Sequence, residues 1–288
     1  MTMAASACRS SSLSFRILGP LEIECGGRRI TPTAPKPRAV LALLLFRVNR
    51  VVPNSVLVEE LWAANPPSTA LNTLQTYIFQ IRKLIADALG VKTAQVARDI
   101  LITDTAGYIL RGGCHQLDVC EFEDLMNRGR DALDNDDHVG AAELFQRALE
   151  TWRGPIALDW QSGRAIQAHV ARLEEQRLYA LEQRLEACLA LERHREMLSE
   201  LASLVVEHHL HESLHAKYMI ALYRAGRVSD ALTVFRSLRQ RMMDELGIEP
   251  SAALQALHRA MLSSDPGLAS TPAPTPPAPP ARVLASEP

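Results

Sequence analysis

The spacing of apolar residues changes along the chain, and the changes divide it. Near the start, Phe15-Arg16-Ile17-Leu18, Leu21-Glu22-Ile23 and Arg29-Ile30 are short extended runs, with Gly19-Pro20 and Gly26-Gly27 as turns between them. They predict a small antiparallel sheet. Lys36-Pro37-Arg38 then places a proline where a first helical turn tolerates one, and Ala39 to Phe46 continues without a breaker. Asn54 or Ser55 can cap a second helix ending near Trp62, with Leu57 and Leu61 on one face. After the Pro66-Pro67 break, Ser68 or Thr69 can cap a third helix running to about Leu89, with Gly90 beyond its end. Ile100-Leu101-Ile102 and Tyr108-Ile109-Leu110 bracket Asp104-Thr105-Ala106-Gly107 as a β-hairpin. Sheet, three helices and a terminal hairpin, in that order, predict a winged helix-turn-helix.

From Leu117 onward the periodicity is helical nearly throughout. Gly140-Ala141-Ala142 with Phe145 and Ala148, and Gly226 with Ala231-Leu232 and Phe235, share a cadence in which small residues let helices approach and an aromatic fills the gap. This predicts tetratricopeptide-like hairpins of roughly 34 residues, with a plain helical bundle as the alternative. Gly247 and Pro250 close one helix and open the next. The expected fold is thus an α+β winged helix-turn-helix followed by an all-α, tetratricopeptide-like helical domain. The expected boundaries are a disordered start at 1–14, a winged helix at 15–113, helices at 114–265 and a Pro/Ala-rich disordered tail at 266–288.

Charge sharpens the division. Between Phe15 and Gly113 there are 12 Lys/Arg and 7 Asp/Glu, but between Cys114 and Asp265 there are 17 and 25. From Cys25 to Ala86 the only carboxylates are Glu59 and Glu60. A basic half joined to an acidic half suggests one surface for a polyanion and another for a different partner. The 5 cysteines show no C-x-x-C pair, which argues against a disulfide framework or zinc ribbon and for a reducing cytoplasm. No run reaches membrane-spanning length, and no basic region followed by an apolar core marks a secretion signal.

The third helix carries the most specific pattern. Leu71, Leu74, Ile78, Ile81 and Ile85 form a stripe predicted to be buried. The opposite face, centred on Thr76, carries Thr69, Asn72, Thr73, Phe79, Gln80 and Lys83, without a carboxylate. Asn and Gln can pair with adenine edges and Thr can offer a methyl or a hydroxyl, so Asn72, Thr73, Thr76, Phe79 and Gln80 are the candidates for base readout. Arg82 and Lys83, with Lys36, Arg38, Arg47, Arg50 and Arg111, are the candidates for phosphate contacts, which position without specifying.

Other chemistry finds no constellation. Asp104-Thr105-Ala106-Gly107 lacks a phosphate-binding loop and reads as a turn. His208, His209, His211 and His215 cluster without a partnering cysteine or H-E-x-x-H, and Cys114-His115 and Cys120 lack metal spacing. No nucleophile elbow or enclosed carboxylate pair is present, so no catalytic residue, metal or cofactor is expected. The alternative to DNA binding is a protein–protein interaction scaffold, which the carboxylate-free polar face disfavours.

In Asn72-Thr73-Leu74-Gln75-Thr76-Tyr77-Ile78-Phe79-Gln80-Ile81-Arg82-Lys83-Leu84 and Gly107-Tyr108, residues 15–113 resemble the winged-helix output domain of two-component response regulators. In Ala231-Leu232 with Phe235, and Leu246-Gly247-Ile248-Glu249-Pro250 followed by Leu254 and Leu257, residues 114–263 resemble the bacterial transcriptional activation domain. Together they are similar to the Streptomyces antibiotic regulatory protein family. That resemblance implies a nucleoid-associated activator of secondary-metabolite gene clusters. It would bind direct repeats in double-stranded DNA near a promoter's −35 element and contact RNA polymerase holoenzyme, with a second copy of the chain left open as a partner. The family's recognition positions fall on Thr73, Thr76, Phe79, Gln80, Arg82 and Lys83. Asp104 stands where related wings often carry an arginine, which argues against minor-groove contact there and leaves Arg111 as the substitute.

Overall fold

The computed structural model describes residues 13–113, 116–156 and 163–269, in two compact units that divide between Arg184 and Leu185. Residues 1–12, Cys114, His115 and the proline-rich stretch lie outside the described residues.

The first unit opens with an antiparallel sheet of β1 (Leu13–Arg16), β2 (Glu22–Cys25) and β3 (Arg28–Arg29), in register at Phe15↔Ile23 and Cys25↔Arg28. Leu13, Phe15, Ile23 and Cys25 alternate inward, as a half-buried sheet requires. Leu13 and Ser14, expected within the disordered start, pair with Cys25 and Glu24.

Helix α1 (Pro35–Phe46) buries Pro37 and every residue from Ala39 to Leu45. A helix apolar all round must be enclosed, and α1 packs against α2 (Asn54–Trp62), α3 (Ala70–Leu89) and the last strand of the wing. The expected side-chain caps are absent: Pro53 precedes α2 and Thr69 precedes α3, neither with a side-chain cap bond. Gly90, at φ 67°, ends α3 in the left-handed conformation. A short helix, α4 (Thr93–Asp99), follows where no element was expected. The wing consists of β4 (Val52–Pro53), β5 (Leu101–Thr103) and β6 (Gly107–Leu110), in the order β4-β6-β5. A Cβ on Gly107 would land on the Val52 carbonyl, so this pairing needs glycine there.

Helices α5 (Asp118–Asp134) and α6 (His138–Glu150) form a hairpin. Phe145 is wholly buried against Gly129, where an added Cβ would meet its ring at 2.9 Å. The small-plus-aromatic cadence thus works through Gly129. Gly140 instead makes room for Asp137, whose carboxylate accepts the Gly140 N–H at 2.8 Å and caps α6. Helix α7 (Arg164–Ala190) follows and crosses the division between units.

Within the first unit the winged helix and the helices after it are joined by side-chain-to-backbone bonds. The Asp118 carboxylate accepts the N–H groups of Ile17 and Leu18 at 2.9 Å. Burial pushes its pKa above the usual carboxylate value, against the opposing pull of those bonds and of Arg153. Arg153 pairs with Glu22 at 2.8 Å and donates to the Pro20 carbonyl. These bonds cross the expected boundary at Gly113.

The second unit contains α8 (Leu198–Glu207), α9 (Glu212–Arg224), α10 (Val228–Leu246), α11 (Ala252–Leu262) and a short α12 (Pro266–Ala269) at the start of the stretch expected to be a tail. Its core holds Met219, Leu222, Ala231, Phe235, Leu238, Met242, Leu254 and Met261. Phe235 also stacks on His258, with centroids 3.9 Å apart. The Leu246–Pro250 motif is a corner: Gly247 turns left-handed at φ 69°, Glu249 pairs with Arg239 at 2.6 Å, and the Ser251 N–H donates to Glu212.

Candidate nucleic-acid interface

Helix α3 separates its two faces. Leu74, Ile78, Ile81 and Ile85 are buried against the domain, while Asn72, Thr76, Phe79, Gln80 and Lys83 are exposed and Thr73 is half-buried. Leu71 corrects the expected stripe. It lies in the first turn, and its side chain is 55% exposed. Gln75, outside the expected readout set, is exposed as well.

Two threonine hydroxyls are already committed. Thr73 donates to the Thr69 carbonyl and Thr76 to the Asn72 carbonyl, each at 3.0 Å. Their protons are used within the helix, so outward they present a methyl group and oxygen lone pairs. The amides of Asn72, Gln75 and Gln80 supply the donors of this face.

The cations fall into two groups. Lys83, Lys36, Arg50 and Arg111 are exposed, Lys36 lying 4.8 Å over the Trp62 ring. Arg82 is otherwise engaged: Nε and Nη2 donate to the Leu101 carbonyl at 2.8 and 2.7 Å, and Nη2 also donates to the Thr103 hydroxyl. Burial lowers its pKa from the ordinary value, and Tyr108, whose ring lies beneath it, acts the other way. Arg82 thereby fixes α3 to β5 of the wing. Arg47 donates toward His169 of α7 at 3.5 Å, and Phe46 stacks on the same imidazole. Arg38 is half-buried.

In the wing turn the Asp104 carboxylate accepts the Ala106 N–H at 3.1 Å, and the Ala106 carbonyl accepts the Asn54 N–H. The turn that opens β6 is therefore also tied to the start of α2. Among the described residues no group of three or more His, Cys, Asp or Glu is placed to hold a metal ion. His209 contacts Glu245, while His215 is buried with Nδ1 on the His211 carbonyl. No helix among the described residues is long and apolar enough to cross a membrane.

A winged helix whose third helix presents a polar face without carboxylates, followed by stacked helices, defines a class of DNA-binding transcriptional regulators. The comparisons agree. Residues 27–110 match the C-terminal domain of transcriptional regulatory proteins, and residues 117–262 match the bacterial transcriptional activator domain. The chain is 44% identical to regulatory protein DnrI of Streptomyces peucetius, over 89% of this chain and 94% of that one. It is 36% identical to regulatory protein AfsR of Streptomyces coelicolor, over 92% of this chain but only 26% of that longer protein. The solved structure of Mycobacterium tuberculosis EmbR with a low-affinity phosphopeptide superposes with a TM-score of 0.82 at 31% identity, covering 88% of this chain and 66% of EmbR. The chain belongs to the Streptomyces antibiotic regulatory protein family.

Proposed function

We propose that this regulator binds direct repeats near a promoter's −35 element and recruits RNA polymerase holoenzyme to a secondary-metabolite gene cluster, acting in the cytoplasm on the nucleoid and without catalysis. The observation that carries the reading is the outward face of α3: Asn72, Thr76, Phe79 and Gln80 are exposed, and no carboxylate lies between Ala70 and Ala86. Carboxylates there would repel phosphates, whereas amides and threonines match base edges. Lys83 at one end and Lys36, Arg50 and Arg111 elsewhere on the winged helix supply exposed charge for the backbone. Arg82, Arg47 and Arg38 would support this surface from within the fold rather than lead it.

The test is footprinting of the full chain on DNA upstream of its neighbouring genes, combined with reconstituted transcription. Protection at repeats whose centres lie about one helical turn apart, with stimulated initiation, is expected. Binding without stimulation would remove the recruitment role. Stimulation without protection would remove DNA readout.

A further inference from the structure

We propose that Leu71, Gln75 and Phe79 form a second row of base-reading side chains, with Leu71 and Phe79 seated on thymine 5-methyl groups. The proposal rests on the reading of α3 as a major-groove helix and names what part of the groove it takes. Residues four apart on a helix stack along one ridge. Leu71, Gln75, Phe79 and Lys83 are such a ridge, and all four are exposed, Leu71 at 55% and Phe79 at 56%. The neighbouring ridge is Asn72, Thr76 and Gln80, also exposed. On the other flank the next side chain is Arg82, bonded to Leu101 and Thr103.

A polar ridge and a ridge with apolar ends therefore lie side by side on a surface free of carboxylates and closed by a lysine. Two large apolar side chains left in water gain free energy when a partner covers them. The charge of the surface points to a polyanion as that partner. In a major groove the apolar group on offer is the thymine methyl, and the amide of Gln75 suits an adenine edge between them. Leu71 and Phe79 are eight residues apart, about 12 Å of helix rise. At ~3.4 Å per base step, that separates their targets by three or four base pairs.

The experiment uses the full chain throughout. A site is selected from a random duplex pool and resynthesised with deoxyuridine replacing one thymine at a time, which deletes one methyl and nothing else. Two thymines three or four pairs apart should each show an affinity loss of about fourfold, the value of one buried methyl-sized group. Leu71→Ala should abolish sensitivity at one of them and Phe79→Ala at the other, while Leu71→Met keeps it. Sensitivity at no thymine, or sensitivity unchanged in both alanine variants, overturns the proposal. Unchanged affinity with reduced transcription in those variants also overturns it, because the ridge would then face a protein. Failure to enrich any sequence would instead strike the DNA-binding reading itself.

Discussion

Glu60, near the end of α2, accepts the N–H of Gly163 at 2.5 Å, and its other oxygen accepts from Ala165 at 3.1 Å and from Ile166. The side chain is buried, and it supplies the first turn of α7 with the acceptors that the turn lacks. One of the two carboxylates in the basic stretch is thus a helix cap reaching from the helix-turn-helix to α7. The approach leaves no room for a side chain at Gly163, since an added Cβ would meet the Glu60 carboxylate carbon at 2.7 Å.

Glu60→Ala should therefore lower stability by about 1–3 kcal/mol, because the buried N–H of Ile166 and the half-buried N–H groups of Gly163 and Ala165 lose their acceptor. Glu60→Gln, which keeps one carbonyl oxygen, should cost less. Gly163→Ala should resemble Glu60→Ala, as it pushes the same carboxylate away. Urea unfolding of the full chain measures all three.

Arg82 and Lys83 should separate by role. Lys83→Ala should reduce the salt slope of DNA binding by about one, with little change in stability. Arg82→Ala should cost about 1–3 kcal/mol of stability, since it frees the buried carbonyl of Leu101, and should move the slope less. Paired titrations against salt and urea check both.

Thr76→Ala and Gln80→Ala should leave stability within about 0.5 kcal/mol, as expected for exposed positions. Each should lower discrimination between the selected site and random duplex by about 1–3 kcal/mol. Competition binding reads the ratio directly.

Acid should destabilise the protein before its carboxylates matter. Burial lowers the pKa of His169, and Arg47 and Arg172 add to the effect. Burial likewise lowers that of His215, with Arg241, His211 and His209 facing it and only the bond to the His211 carbonyl opposing. The unfolded chain therefore binds protons first. The histidine contribution is full above about pH 6.5 and is lost as pH falls toward the folded values. The pKa of Asp118 moves upward, so its contribution is present below the unfolded carboxylate value and is lost as pH rises past it, in a more acid window. The urea midpoint should fall between about pH 7 and pH 5.5, and His169→Gln should flatten the fall.

Much of this was legible in the residues. Short extended runs between glycine turns marked β1 and β2, the unbroken run Ala39–Phe46 marked a helix, and the missing carboxylates marked the outward face of α3. What escaped depended on long-range partners. Leu71 fits the apolar period, but its side chain is exposed in the first turn beside a buried Ala70. Arg82 reads as a surface cation until β5 supplies a carbonyl 19 residues away. Glu60 reads as a stray charge until α7 arrives more than a hundred residues later, although its isolation in a basic stretch was a usable sign. Helix α4 has only seven residues and too little periodicity to stand out. The bonds that cross Gly113 need Asp118, Arg153 and Glu60 to meet distant backbone, which composition does not encode.

Photocrosslinking tests the central claim most directly. A photoreactive residue is placed at Thr76 on α3 in one variant of the full chain, and at exposed Val139 on α6 in another. Each is irradiated on the selected duplex. Crosslinks from position 76 to bases inside the protected site, with none from position 139, are predicted. Silence at position 76 on a duplex that remains fully bound would show that α3 does not lie in the groove.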